Sequence, residues 1–377
     1  MLVAAAALGV ALALLASGPS RPPTASLHAR ATTRPARTGP VARGSRQPTP
    51  SGDIADLPRL VGQLAVGRYA GPQPSADFLA RVRAGQLGAV ILFSDNMTGG
   101  LHATRQAIAE LQEAARQGGN PPLLIMTDQE GGEVRRLSGP PQLAPAQMDS
   151  PAVARSQGAA AGRLLRSVGI NVDLAPVADV ERVPGSFLGS RAFGSDPELV
   201  ATRACAFAAG LQSAGVAYTL KHFPGLGRAI ASTDESPVTI TARDADLRAD
   251  YAAYHRCGSS PDALVMVSSA IYPGLSGSKP AVMSPRIYAH ELPLAVGRGG
   301  HLTISDALDT PALAGERTPA VFAIRAGLDL ALFPGNEVES ARGYAELLAA
   351  TRTGALPPGR VWDAVYAVEA LKRRVAK

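Results

Sequence analysis

The chain has 377 residues, 46% hydrophobic and 18% charged, enough to bury a large core in one domain or two. Its formal charge of +6 sits in the tail: residues 1–52 hold Arg21, Arg30, Arg34, Arg37, Arg43 and Arg46 and no Lys, Asp or Glu. Residues 53–377 are therefore formally neutral, which argues against an electrostatic grip on nucleic acid by the body of the chain.

Residues 1–18 open with an apolar run of Ala, Leu and Val that is short for a membrane span and suits an export signal or an N-terminal anchor. Residues 19–52 are rich in Pro, Arg, Ser, Thr and Gly, a composition that cannot bury a core and reads as a disordered linker. The two together point to an exported protein, secreted or held at the outer face of the cytoplasmic membrane. The arginines give the linker a means of association with anionic wall polymers or a membrane surface.

From residue 53 onward, short apolar runs alternate with Ala-rich segments of helical spacing. The runs fall at 63–66, 88–93, 122–127, 171–175, 216–220, 263–268, 301–305 and 327–333. Helices are expected at 101–117, 151–168, 197–214, 242–256 and 338–351. Repeated strand–helix units argue for a parallel α/β sheet with helices outside it, and this number of strands suits a single-domain (β/α)8 TIM-type barrel over residues 53–377. A doubly wound open sheet is the alternative, weakened because no Gly-rich dinucleotide fingerprint follows the early strands. Cys205 and Cys257 sit in two of the helical segments; an exported chain could pair them as one disulfide, and two buried thiols are the other reading. The His and Cys residues do not cluster, so neither a metal nor another cofactor is expected.

In such a barrel the C-terminal ends of the strands carry the chemistry. Here they end in Asp128-Gln129-Glu130-Gly131-Gly132 with Arg135 and Arg136 following, in Pro176 and Asp179, in Lys221-His222, in Ser269 and in Asp306. Carboxylates, a lysine, a histidine and arginines around one rim suit a polyhydroxylated ligand, whose hydroxyls both donate to and accept from charged groups. The protein is thus expected to take a carbohydrate as its partner.

These segments, together with Arg191-Ala192-Phe193-Gly194-Ser195-Asp196-Pro197 and Lys221-His222-Phe223-Pro224-Gly225, stand in an order that resembles the glycoside hydrolase family 3 β-N-acetylglucosaminidases of bacteria, over roughly residues 55–375. The resemblance implies a barrel. It implies Asp306 as a catalytic nucleophile that forms a covalent glycosyl-enzyme, and Asp128, Arg136, Arg191, Lys221 and His222 as sugar-binding residues. It further implies removal of terminal β-linked N-acetylglucosamine or a related sugar, with peptidoglycan-derived or environmental glycans as substrates of an exported enzyme. Glu130 reads as a support for its loop and Asp179 as structural.

One segment departs from the pattern. Relatives follow Lys-His-Phe-Pro-Gly with His-Gly and later an Asp-Ser-His or Asp-Thr-His acid/base pair. Here Leu226 replaces the first His, and Ser232-Thr233-Asp234-Glu235-Ser236 occupies the later stretch with no His. Either Asp234 or Glu235 takes over proton transfer, as a carboxylic acid does when its surroundings raise its pKa, or the barrel is a catalytically impaired sugar-binding protein of the cell wall.

Overall fold

The computed structural model describes residues 57–299 and 301–376; the expected export signal or anchor (1–18) and linker (19–52) lie outside the described residues. Eight parallel strands form the central sheet: β1 (Ala65–Gly67), β2 (Ala89–Ile91), β3 (Leu124–Thr127), β6 (Val172–Asp173), β7 (Ala217–Phe223), β8 (Ala263–Val267), β9 (Leu302–Ser305) and β10 (Ala331–Leu332). They follow one another around the sheet in chain order, with β10 also pairing with β1. The ring is completed between β9 and β10 by a parallel bridge from Ile304 to Leu330, where the Leu330 amide donates to the Thr303 carbonyl and the Ser305 amide to the Leu330 carbonyl, each at 3.0 Å. A two-stranded antiparallel hairpin, β4 (Gln129–Gly131) and β5 (Val134–Arg135), stands on the end of β3.

The helices lie between strands: α1 (Leu57–Gly62) before β1, α2 (Ala76–Arg83) after it, then α3 (Gly100–Gln117), α4 (Pro151–Val168), α5 (Pro197–Ser213), α6 (Asp244–Arg248), α7 (Ala252–Cys257), α8 (Leu292–Val296) and α9 (Pro319–Ala326), with α10 (Glu337–Arg352) and α11 (Pro358–Val375) after β10. Local chemistry fixes several starts. Ser150, Asp196 and Asn336 cap α4, α5 and α10 by accepting from the Val153, Leu199 and Glu339 amides, and Pro151 and Pro197 fill first-turn positions that need no donor. Helices α4 and α5 pack closely because a Cβ on Gly158 would meet the Phe207 carbonyl oxygen at 2.2 Å, and one on Gly210 the Arg155 carbonyl oxygen at 2.4 Å.

The eight expected strands and the helix at 151–168 appear where the alternation puts them. The helix expected at 242–256 is broken instead: a 3-10 turn at Ala249–Tyr251 separates α6 from α7. That turn carries Asp250 and Tyr251 inward, where Asp250 receives the Arg182 and Arg228 guanidiniums and the Tyr251 hydroxyl donates to Glu291, bonds a continuous exposed helix would forgo. Cys205 on α5 and Cys257 at the end of α7 form a disulfide across 52 residues of chain, which decides between the two readings of these cysteines.

Two cores result. Outward-facing residues such as Val90, Ile125, Leu220 and Val265 join the helices. Inward-facing ones, among them Ile91, Met126, Leu174, Met266 and Ile304, fill the barrel together with Val368, Leu371 and Val375 of α11. Lys372 of α11 donates to Gln63 just ahead of β1 (2.7 Å), so this helix closes the N-terminal end of the barrel. The other end stays open.

Candidate active site

Alternation along a strand sends neighbouring side chains to opposite faces. At the end of β7 that rule is broken: Leu220 pairs with Val265 but Phe223 with Val267, so β7 holds one extra residue. Such a bulge re-aims side chains, and both Lys221 and His222 line the same pocket, 2% and 6% exposed. On the outer side of the strand, Phe223 packs against Tyr251 and Tyr254, with ring centroids 5.1 Å away in each case.

Lys221 Nζ donates to Asp128 Oδ1 and to Glu130 Oε1, both at 2.7 Å. Arg191 grips Glu130 with two bonds of 2.8 Å, and Arg136 Nε lies 4.0 Å from Asp128 Oδ2. The hairpin is set by the buried Gln129, whose side chain donates to the Leu137 carbonyl and accepts from the Leu137 amide. Burial alone would raise the Glu130 pKa, but Lys221 and Arg191 outweigh it and hold the carboxyl at about 2. Burial would likewise lower Lys221, and the Asp128 and Glu130 charges overcome it and raise the amine. Just behind, buried Asp173 accepts from the Gln129 amide at 2.9 Å. Loss of water pushes it up to about 8, against partial relief from that amide and Lys221.

His222 is fixed from the other side. Its Nδ1 lies 2.7 Å from Asp179 Oδ2, while Asp179 Oδ1 accepts from the His222 and Leu226 amides. Asp179 is therefore the orienting partner of a pocket residue. Its sequence signal was its place after β6; its target, 43 residues on, is visible only in the fold.

Asp306 follows β9. Its Oδ1 accepts from the Ala307 amide (2.9 Å) and its Oδ2 from the Thr233 hydroxyl (3.2 Å). Asp234, next to Thr233, also lines the pocket. Its pKa is raised, first by loss of water and then by the Asp306 carboxylate, with His222 acting in the opposite direction. Much of the residue remains exposed, so solvent screens part of this effect.

Asp128, Arg136, Arg191, Lys221, His222, Asp234 and Asp306 thus share one cavity of about 150 Å³, whose apolar walls include Ile91, Phe93, Leu174, Met266 and Leu332. Glu235 is exposed and is not part of the lining. Both Arg68 and Arg136 place guanidiniums over the Phe93 ring, 4.7 and 5.1 Å from its centroid. Three contributors escaped the sequence reading: Phe93, Glu130 as the central counter-ion and Thr233. The signal for Glu130 was its spacing after β3; Phe93 and Thr233 gave none.

A parallel barrel with this charged mouth is compatible with several chemistries. Residues 57–371 match the family model described as the glycosyl hydrolase family 3 N terminal domain. The chain belongs to glycosyl hydrolase family 3. It is accordingly a glycoside hydrolase acting on carbohydrate.

Among similar family 3 proteins, "Beta-hexosaminidase LpqI" of Mycobacterium tuberculosis is 33% identical over 351 residues, covering 88% of this chain and 87% of the relative. An "Uncharacterized secreted glycosyl hydrolase" of Arthroderma benhamiae is 32% identical over 336 residues, covering 85% and 94%. The solved family 3 β-N-acetylglucosaminidase of Paenibacillus sp. str. FPU-7 superposes with a TM-score of 0.79 at 29% identity, covering 85% of this chain and 62% of its own. The M. tuberculosis LpqI structure gives 0.74 at 31% identity, covering 84% and 93%. The family 3 barrel is therefore common to this chain and these solved relatives.

Proposed function

We propose that this family 3 hydrolase removes terminal β-linked N-acetylglucosamine, or a closely related β-glycosyl residue, with retention of configuration. In this reading Asp306 attacks the anomeric carbon, the bond to the leaving oxygen breaks, and a glycosyl ester forms on Asp306. Asp234 protonates the leaving oxygen and then, as its carboxylate, takes a proton from the water that cleaves the ester. Asp128, Arg136, Arg191, Lys221 and His222 hold the sugar hydroxyls. The similarity to a β-hexosaminidase and to a family 3 β-N-acetylglucosaminidase supports the sugar.

The observation that carries the mechanism is the pairing of Asp234 with Asp306 in one pocket. Two carboxyl groups in different surroundings are what an acid and a nucleophile require, and the charge of Asp306 helps keep the proton on Asp234. Glu235, outside the lining, is left without a role in proton transfer. Asp306→Ala should abolish hydrolysis of 4-nitrophenyl N-acetyl-β-glucosaminide, and Asp234→Ala should slow it by roughly 10²–10⁴-fold. Release of 4-nitrophenol by Asp306→Ala at the wild-type rate would refute the assignment. Saturable sugar binding without any release by the wild-type protein would favour a sugar-binding role.

The reading also includes export, with wall-derived glycans as the substrate pool. The apolar run in residues 1–18, the Cys205–Cys257 disulfide and the secreted fungal relative support it. Recovery of the native protein from the cytosol with both thiols reduced would refute it.

A further inference from the structure

The loop between β7 and α6 is pinned at both ends. At its start the Leu226 amide donates to Asp179 (2.7 Å), the Arg182 amide to the Gly227 carbonyl (2.8 Å), and Arg228 pairs with buried Asp250. Gly227 permits this contact, since a Cβ there would meet the Val180 carbonyl oxygen at 1.7 Å. At its end the Ile240 amide donates to the Ile271 carbonyl and the Ile271 amide to the Val238 carbonyl, each at 2.9 Å. Between these anchors Ser232 organises a turn, accepting from the Asp234 amide on its hydroxyl and from the Glu235 and Ser236 amides on its carbonyl.

Within the turn one residue behaves differently from its neighbours. Asp234 and Glu235 are exposed, whereas Thr233 is only 3% exposed and points its hydroxyl at Asp306 Oδ2. The Ala307 amide already occupies Oδ1, so the two bonds together fix the plane of the carboxylate. A carboxylate oxygen has two lone pairs; Oδ2 can accept from Thr233 and still face the sugar.

We infer that Thr233 is a positioning residue that docks the turn onto Asp306 and so presents Asp234 to the departing oxygen of the substrate. The inference rests on the acid/base role proposed for Asp234. It adds that placement of the acid depends on a hydroxyl bound to the nucleophile, so that the two carboxyl groups are set by one contact.

General acid assistance matters for poor leaving groups and little for good ones, which separates positioning of Asp234 from orientation of Asp306 alone. The experiment compares kcat/KM of wild type, Thr233→Val, Thr233→Ser and Asp234→Ala on aryl N-acetyl-β-glucosaminides from 2,4-dinitrophenyl to 4-methylphenyl. For Thr233→Val the expected result is a loss in kcat/KM that grows with the leaving-group pKa, roughly 10- to 100-fold greater on the 4-methylphenyl substrate than on the dinitrophenyl one. Thr233→Ser should stay within about threefold of wild type throughout, since it keeps the donor. An equal loss on every leaving group would show that Thr233 serves Asp306 alone and would overturn the inference. Wild-type behaviour of Thr233→Val beside a graded loss in Asp234→Ala would also overturn it, leaving the acid assignment intact. A loss in Asp234→Ala that ignores the leaving group would remove the acid assignment and the inference with it.

Discussion

Lys221 and Lys372 are both buried, at opposite ends of the same barrel. Lys221 at the open mouth sits between two carboxylates, 2.7 Å from each, and burial is outweighed by their charge, so its pKa rises. Lys372 at the closed base has the neutral Gln63 amide for a hydrogen-bond partner, and burial lowers it to about 7 despite help from Glu369. The same side chain is thus a fixed cation where a ligand enters and a titrating amine where α11 plugs the barrel. Counter-ions, more than depth, decide the protonation of each.

The largest test of this contrast is Lys221→Met. It leaves Glu130 with Arg191 alone and removes the close partner of Asp128, stranding buried charge. Unfolding by urea should show a loss of about 3–5 kcal/mol, part of it recovered when Glu130→Gln is added, because the two residues touch. A loss below about 1 kcal/mol would mean that the mouth network is too well solvated to matter.

At the base, Lys372→Met should change the pH dependence. Between about pH 7 and the unfolded-lysine value, the unfolded chain binds a proton at this residue that the folded chain does not. Stability contributed by this site therefore rises with pH in that window, by at most about 1.4 kcal/mol per unit, and is lost as pH falls through 7. Stability curves measured from pH 6 to 9 should flatten in the variant and lie highest above wild type at the acidic end. Parallel curves would place the Lys372 pKa near its ordinary value and erase the difference between the two ends.

The smallest effect is expected at Glu235. It adds charge near the mouth without joining the lining, so Glu235→Gln should leave kcat/KM within about twofold, a change of under 0.5 kcal/mol in barrier. A loss comparable to that of Asp234→Ala would transfer the acid role to Glu235.

How much of this was legible in the sequence follows from the range of the interactions. Strand and helix order comes from local periodicity, and 151–168 reads as a helix from its Ala-rich helical spacing, with Ser150 and Gly169 (φ +98°) capping its two ends in the structure. Asp128, Arg136, Lys221, His222 and Asp306 were legible because strand ends must converge in a barrel, whereas Arg191 and Asp234 were reached through the family resemblance. Their pairing was not. Asp179 finds His222 across 43 residues, and Thr233 finds Asp306 across 73. The break at Asp250 escaped for the same reason, since its two arginines lie on the loops after β6 and β7. Lys372 sits within an ordinary amphipathic helix, and nothing in that segment announces that its amine ends inside the barrel.

The most direct test of the account is to trap the intermediate. The enzyme is incubated with a 5-fluoro N-acetylglucosaminyl fluoride, digested, and the labelled peptide located by mass spectrometry. One glycosyl unit per chain is expected, carried on Asp306, and no label on Asp306→Ala. Label on Asp234 or another carboxylate, or turnover that releases the α-anomer with no covalent adduct, would contradict it.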